Sequence, residues 1–420
     1  MQISRRSILQ SAPAFVQSRS SRPPNIVLIL TDDHSEPFLG ASGHPVVKTP
    51  VIDRLMGGGM RLTRAYTTAP QCVPSRASLM TGRSPVAVRM GRFSSPLPPE
   101  AVTLPDVLKE RGYFRGVCRR YFHLDGVIKP NPVTQRVYEQ NGLRTFSRRM
   151  DFLDTSGGRE QTPEIVGQFL GKVPKGSPFF LWVNTSDPHH VWDAKAIDPP
   201  YDPAKMPVPG WLPDLPGVRH DLARYCGEVA RVDEEVGWVV EALKRRGMED
   251  NTLIVFMGDN GAALPRGKGS LYEMGCRVPL SVTWAGRIQP GGVSDALISG
   301  EDLAPTLIEA AGLKPPAAMS GRSFLPLLTG GEYKPREWVF TARLPHGNSP
   351  LTETTTAAKL GIADRMVQGV ALGLSPKQIA QQCQNLCSAG LQKAMVVART
   401  ETMRTYRTVQ ARTWDKSGIV

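Results

Sequence analysis

Hard oxygen ligands occur in pairs at two places in this 420-residue chain. Asp32 and Asp33 follow one apolar, β-branched run, and Asp259 and Asn260 follow another. Carboxylate and amide oxygens suit Ca²⁺ or Mg²⁺ and not zinc. A single such pair after a strand more often forms a helix cap or a turn. The prediction of a metal site therefore depends on both pairs.

A cysteine precedes a proline in the segment Cys72-Val73-Pro74-Ser75-Arg76. Proline suits the first turn of a helix, so Cys72 is predicted to lie at a helix N-terminus. The free N–H groups and the helix dipole favour an anion such as sulfate there. Arg76, about one turn further on, could hold the Cys72 side chain or an oxygen of the anion with its planar fork. A structural cysteine before a helix would explain Cys72 and Pro74, but not Arg76.

The pattern C-x-P-S-R followed by Thr81-Gly82-Arg83 resembles the signature of the type I sulfatases. The resemblance implies that Cys72 is oxidised to formylglycine by a maturation enzyme. The hydrated aldehyde then offers one hydroxyl to attack sulfur and a second to expel sulfate. It also implies a divalent cation, Ca²⁺ with Mg²⁺ as the alternative, bound by Asp32, Asp33, Asp259, Asn260 and the modified Cys72. Such a cation polarises the sulfate oxygen.

A second segment, running from Gly267-Lys268 to Arg277-Val278-Pro279, matches another motif of that family. The resemblance places Lys268 on the sulfate. His189, which follows Asp187-Pro188, matches the histidine that faces the leaving group, and proton donation is its expected role.

One motif departs from the family pattern. Most relatives have G-K-x-H where this chain has Arg119-Arg120-Tyr121-Phe122-His123. His123 is the matching histidine, and Arg120 replaces the missing lysine as a substrate-binding cation. Because an arginine cannot lend a proton near neutral pH, the histidines or Lys268 must do so.

The spacing of these motifs is most similar to heparan N-sulfatases (sulfoglucosamine sulfohydrolases), which implies a sulfated carbohydrate as substrate. An O-sulfatase and a phosphonate or phosphate monoester hydrolase of the same superfamily remain alternatives. His346 is a further candidate for the substrate pocket. A non-catalytic fusion or phage-type assembly protein with a sulfatase-like body is disfavoured, because a scaffolding protein does not need these candidate catalytic and metal-binding residues.

Three apolar runs predict strands buried on both faces: 25–30, 179–184 and 252–257. Apolar residues from Leu222 to Leu243 recur at helical spacing, and Gly247 ends that helix. Strands alternating with helices predict an α/β layered domain with a mostly parallel central sheet flanked by helices, as in alkaline-phosphatase-like proteins. Polar clusters after the strands fall at the sheet edge where such folds bind ligands.

The charge and composition exclude several classes. The net charge is +13, but residues 1–22 supply four of these charges and residues 351–420 supply five. Nucleic-acid binding by the core is therefore not expected. The six cysteines form no dense disulfide framework, and no run of 18 apolar residues predicts a membrane span.

The two ends of the chain differ from its centre. Residues 1–22 resemble a twin-arginine export signal, which implies a periplasmic or secreted enzyme, although a disordered basic leader is the alternative. Residues 23–350 form the predicted catalytic domain. Residues 351–420 read as helices and resemble Mu-like phage head-morphogenesis proteins, so the C-terminal subdomain of the family is expected to be incomplete or replaced.

Overall fold

The computed structural model describes residues 22–91, 96–120, 122–126, 132–142 and 145–344. All of them belong to the first of two units of the chain, residues 1–347. The strands in this part are β1 (Asn25–Thr31), β2 (Met60–Leu62), β3 (Ala65–Tyr66), β4 (Phe114–Arg119), β5 (Phe152–Asp154), β6 (Phe179–Asn184), β7 (Thr252–Gly258), β8 (Leu280–Trp284), β9 (Gly292–Ser294) and β10 (Ile298–Ser299). The α-helices are α1 (Pro50–Gly57), α2 (Cys72–Thr81), α3 (Leu104–Glu110), α4 (Pro132–Gln140), α5 (Thr162–Lys172), α6 (Pro216–Arg245), α7 (Glu273–Cys276), α8 (Leu303–Ala310) and α9 (Leu325–Thr329).

Eight of these strands form one sheet in the order β5-β4-β6-β1-β7-β8-β2-β9. The five strands from β5 to β7 are mutually parallel, and β8 runs antiparallel to both β7 and β2. The mostly parallel α/β sheet predicted from the sequence is confirmed, and β1, β6 and β7 are the three predicted strands. Their continuous apolar runs reflect burial on both faces.

Alternate residues of β1 enter different cores. Ile26 and Leu28 pack in a cluster with apolar residues of α2, α3 and α8. Val27 and Ile29 pack on the opposite face, with residues of α1, α5 and α6. Each of these side chains is fully buried, which contributes about 1.5–3 kcal/mol of transfer free energy per side chain. Helices thus cover both faces of the sheet, and its carboxyl edge is where such folds bind ligands.

Helix α6 is the helix predicted from the apolar spacing, but it begins at Pro216, six residues before Leu222. Pro216 occupies its first turn, where a missing N–H costs nothing. The loop before it contains one 3-10 turn, Pro203–Lys205, in which the Asp202 carboxylate accepts a hydrogen bond from the backbone N–H of Ala204 at 2.9 Å.

Within the described residues, no helix is long and apolar enough to cross a membrane. The predicted export signal, apart from Arg22, and the 351–420 tail lie outside the described residues.

Buried Glu235 on α6 makes the stability of the protein depend on pH. One carboxylate oxygen accepts a hydrogen bond from the Thr162 hydroxyl at 2.6 Å, and the other has no hydrogen-bond partner. Burial raises the pKa of Glu235 from 4.5 to about 7. Between these values the folded protein binds a proton that the unfolded chain has released, so stability falls as the pH rises.

Substituting Glu235→Gln should remove this part of the pH dependence, because an amide does not titrate. Urea unfolding at several pH values between 4.5 and 8 should show a flatter decline for the variant, by about 1–3 kcal/mol across the range. The exposed Glu241→Gln on the same helix is the control. An unfolding profile of Glu235→Gln parallel to that of wild type would contradict the assignment.

Candidate active site

The parallel pairing of β1 with β7 brings the two acidic pairs together. Thr31 lies opposite Gly258, so Asp32 and Asp259 emerge side by side at the carboxyl edge of the sheet. The backbone N–H of Asp33 donates to Asp259 Oδ1 at 3.1 Å, and Asn260 Nδ2 donates to Asp33 Oδ1 at 2.8 Å. All four side chains are fully buried. The structure thus assembles the predicted oxygen cluster from residues 226 positions apart.

Cys72 is the first residue of α2, as predicted from Pro74. The helix is buried along its whole length and ends at Gly82, whose φ of 61° is left-handed and whose N–H donates to Ser78 O at 2.9 Å. The Cys72 thiol donates to Asp32 Oδ1 at 3.2 Å. Burial, and then the Asp32 charge, raise the pKa of Cys72 well above its usual range. The unmodified thiol therefore stays protonated.

Arg76 connects the helix to both strand ends. Its Nε donates to Asp259 Oδ2 at 2.9 Å, its Nη1 donates to Asn184 Oδ1 at 2.7 Å, and its Nη2 lies 3.3 Å from Asp32 Oδ2. The side chain is fully buried. Burial opposes the charge, but Asp259 and Asp32 outweigh it, and the pKa of Arg76 is raised. Its role in the structure is to neutralise the acidic cluster rather than to project into solvent.

Two further cations border the cluster. Lys268 Nζ lies 2.7 Å from Asp33 Oδ1 and 2.9 Å from Oδ2, and Arg120 Nη1 donates to Asp32 Oδ2 at 2.6 Å. The loop that carries Lys268 is folded by the bond from its N–H to Ala262 O at 2.7 Å. A Cβ at Gly267 would lie 2.0 Å from that same oxygen, so the close approach requires glycine.

His189 faces the same cluster. Its Nε2 lies 3.9 Å from Asp33 Oδ2, and burial lowers its pKa. The loop that carries His189 is tied to α6 by Arg231, whose Nε donates to Asp187 Oδ2 at 2.6 Å. Neither Arg231 nor Asn184 was predicted from the sequence as a site residue. The sequence shows only that Asn184 ends an apolar run, which is not a specific signal, and nothing local in it pairs Arg231 with Asp187.

Atoms of Asp32, Asp33, Cys72 and His189 lie within 4.8 Å of one another, close enough to share one metal ion. Asp259 is not in this group. Its oxygens accept hydrogen bonds from Arg76 and from the backbone N–H groups of Asp33 and Asn260. Asn260 Oδ1 is buried without a hydrogen-bond partner, which is what an oxygen awaiting a cation would show.

The pKa values of the three aspartates reflect their burial and their mutual repulsion. Burial raises the pKa of Asp33 to about 6, and burial with the Asp32 charge raises the pKa of Asp259 to about 7. Burial also acts on Asp32, but Arg76, Arg120 and Lys268 outweigh it and hold its pKa well below the usual range. This donor set fits a hard divalent cation, which would relieve the remaining repulsion.

His123 lies in a 3-10 turn, Phe122–Leu124. Burial and then the charge of Arg76 lower its pKa to about 3, so the ring is neutral. His346 lies outside the described residues. The site opens into a cavity of about 550 Å³ lined by Asp33, His189, His190, Ala263, Leu264, Lys268, Gly269 and Arg343.

A layered α/β fold with buried carboxylates and cations at the carboxyl ends of its strands is suited to a hydrolase of anionic esters. The sulfatase family model matches residues 24–313, and the chain belongs to the sulfatase family, the hydrolases of sulfate esters.

Relatives show the same kinship. The chain is 31% identical to arylsulfatase A of Homo sapiens over 361 residues, covering 76% of this chain and 70% of that protein. It is 28% identical to human N-sulphoglucosamine sulphohydrolase over 349 residues, covering 73% and 66%.

Solved structures agree. The structure of Ps i-CgsB in complex with k-i-k-neocarrahexaose superposes with a TM-score of 0.56 at 29% identity, covering 73% of this chain and 76% of that one. A phosphonate monoester hydrolase from Silicibacter pomeroyi has a TM-score of 0.59 at 23% identity, covering 75% and 78%. This second likeness concerns the fold alone.

Substituting Arg76→Lys should destabilise the protein, because a single ammonium cannot contact Asp259, Asn184 and Asp32 together. Breaking a buried ion pair costs about 3 kcal/mol, measured as the free energy of urea unfolding. The exposed Arg245→Lys, paired with Glu241 on α6, is the control and should cost less than about 0.5 kcal/mol. Equal effects of the two substitutions would show that Arg76 does not hold the cluster together.

Proposed function

We propose that this sulfatase removes sulfate from a sulfated carbohydrate, with formylglycine derived from Cys72 as nucleophile and a bound divalent cation. The observation that carries the proposal is the position of Cys72. It lies at the start of a buried helix, 3.2 Å from Asp32, inside a cluster of carboxylates and cations. The names of the relatives and the oligosaccharide bound to Ps i-CgsB support a carbohydrate substrate.

The protonation state of Cys72 argues against the unmodified thiol as the nucleophile. A thiol with a raised pKa is a poor nucleophile, and the acidic neighbours oppose a thiolate. Conversion of –CH₂–SH and water to –CHO and H₂S releases two protons and two electrons, so a maturation enzyme with its own oxidant is a required partner. As its hydrate, formylglycine would supply one hydroxyl to attack sulfur and another to expel sulfate.

The proposed metal ligands are Asp32, Asp33, Asp259, Asn260 and the modified Cys72. The free Oδ1 of Asn260 and the repulsion among the carboxylates support a cation there. Asp259 keeps lone pairs for a metal in addition to its hydrogen bonds. Ca²⁺, with Mg²⁺ as the alternative, would polarise a sulfate oxygen.

The remaining residues act on the sulfate and the leaving group. Lys268 and Arg120, which lie on the carboxylates of the cluster, supply positive charge for the sulfate oxygens. Arg76 orients Asp259 and the helix that carries Cys72. His189, which lines the cavity, is the proposed proton donor to the departing alcohol or amine, and His123 is the second proposed histidine.

Two finer assignments belong to the same proposal. A sulfamate, whose S–N bond a heparan N-sulfatase cleaves, is an alternative to a sulfate ester as the substrate group. Export through the 1–22 leader would place the enzyme in the periplasm or outside the cell, where sulfated glycans such as glycosaminoglycans occur. The 351–420 tail as a segment of other origin, and His346 in the substrate pocket, stay predictions.

Phosphonate or phosphate monoester hydrolysis, the alternative that the sequence motifs leave open, is the second candidate activity. Turnover of an aryl sulfate, an aryl phosphonate ester and an aryl phosphate by the same preparation separates the two. Sulfate turnover should exceed the others by at least about tenfold.

Cys72→Ala should abolish turnover of an aryl sulfate by protein produced with a maturation enzyme, because the nucleophile is lost. Peptide mapping of wild type should show the mass loss of thiol-to-aldehyde conversion at this position. Cys226→Ala, at another buried free cysteine, is the matched control and should stay active. Undiminished activity of Cys72→Ala would refute the mechanism.

Asp33→Asn should lower the affinity for Ca²⁺ by about tenfold or more, because it removes one negative charge from the ligand set. Calorimetric titration measures the affinity, and aryl-sulfate turnover should fall with it. Asp221→Asn, an exposed carboxylate on α6, is the control. If both variants bind Ca²⁺ like wild type, the metal site lies elsewhere.

A further inference from the structure

An arginine at the cavity wall has no part in the cluster described above. Arg343 lines the 550 Å³ cavity together with Asp33, His189 and Lys268. Its side chain is exposed, whereas that of Lys268 is only 15% exposed and is paired with Asp33. Within the part of the chain that the structure describes, Arg343 has no hydrogen-bond or ion-pair partner.

The backbone around Arg343 is nevertheless fixed to the active site. Ala342 N–H donates to Thr68 O at 2.8 Å, and Leu344 N–H donates to Gln71 Oε1 at 3.1 Å. The Thr341 hydroxyl donates to the carbonyl of the residue before Thr68, also at 2.8 Å. The segment that contains Thr68 and Gln71 leads directly into α2, so the backbone around Arg343 is fixed relative to Cys72.

The cavity is larger than one sulfate group requires. Its volume falls within the range of about 300–1,000 Å³ that holds small organic ligands, so a sugar ring can enter with its sulfate. Ala263 and Leu264 give it an apolar wall, and the exposed His190 lies on its lining. In the proposed function the charge of the sulfate is met by Lys268 and Arg120, which are paired with the buried Asp33 and Asp32.

Arg343 is therefore a cation of the cavity wall that is not paired with the buried carboxylates. A guanidinium presents a planar fork that matches a carboxylate or a sulfate. An unpaired cation at the mouth of a cavity also raises the local concentration of anions.

We propose that Arg343 is a specificity-determining residue that binds a second anionic group on the same saccharide, either a further sulfate or a uronate carboxylate. The preferred substrate of the enzyme is accordingly a sugar with at least two anionic groups. This inference rests on the proposed function and extends it from a sulfated sugar to a polyanionic one.

The test measures binding in the Cys72→Ala background with Ca²⁺ present, so that no probe is consumed. Three probes are titrated: D-glucosamine 6-sulfate, D-glucosamine 2-N,6-O-disulfate and a disaccharide with one sulfate and one uronate carboxylate. Adding Arg343→Gln should weaken the binding of at least one of the two latter probes about fivefold more than that of the monosulfate. This selective loss should shrink as salt is added, since the contact is exposed.

Two controls sharpen the result. Arg343→Lys keeps the charge and should recover part of the selectivity, and Arg54→Gln, an exposed arginine on α1, should not alter it. Loss for the disulfate alone identifies a second sulfate, and loss for the uronate alone identifies a carboxylate. An equal loss for all three probes, or no loss for any, overturns the proposal.

The proposed function is tested separately on the protein with Cys72 intact. If that protein fails to hydrolyse an aryl sulfate while Arg343→Gln still lowers selectivity for the dianionic probes, the activity is misassigned and the binding role of Arg343 stands. If turnover is normal and selectivity does not respond, the role of Arg343 is wrong and the sulfatase mechanism is unaffected.

Discussion

Three aspartates buried at the end of two adjacent strands impose the central constraint on this molecule. Removing a carboxylate from water is costly unless it is paired, and here Asp32, Asp33 and Asp259 also repel one another. Arg76, Lys268 and Arg120 offset that cost from three different segments of the chain. The raised pKa values of Asp33 and Asp259 show that the three cations do not fully offset this cost. A divalent cation would offset more of it.

The position of helix α2 follows from the same constraint. Arg76 reaches both strand ends only if the helix lies buried against the sheet, and that placement puts Cys72 beside Asp32. One residue thus couples the stability of the core to the geometry of the nucleophile. Because the ion pairs are fully desolvated, their loss affects folding and not catalysis alone.

Much of this arrangement is predictable from local sequence. Strands β1, β6 and β7 are continuous apolar runs because both of their faces are covered, and Pro74 marks the start of α2. The acidic pairs are recognisable because they follow those strands. What local pattern cannot give is the partner of each group.

Three contacts join segments that are distant in sequence: the hydrogen bond from Arg76 to Asp259, that from Arg76 to Asn184, and that from the Leu344 backbone, next to Arg343, to Gln71. The start of α6 was also missed, since Pro216 to Asp221 lack the apolar spacing that marks the rest of the helix. The local effect of proline and glycine on the backbone can be predicted from sequence. The placement of a loop depends on tertiary hydrogen bonds such as that from Ala342 N–H to Thr68 O, which cannot.

The register of β1 with β7 has a consequence for how the protein acquires its site. The contact between Asp33 and Asp259 closes a loop of 226 residues, and the chain entropy lost in such a closure is recovered only when the intervening elements pack. Synthesis delivers Asp32 and Cys72 long before β7 emerges to flank them. Cys72 of the nascent chain is therefore not yet enclosed by the fold while about 180 further residues are made. The pairing of β1 with β7 is non-local, and topologies of this kind fold slowly.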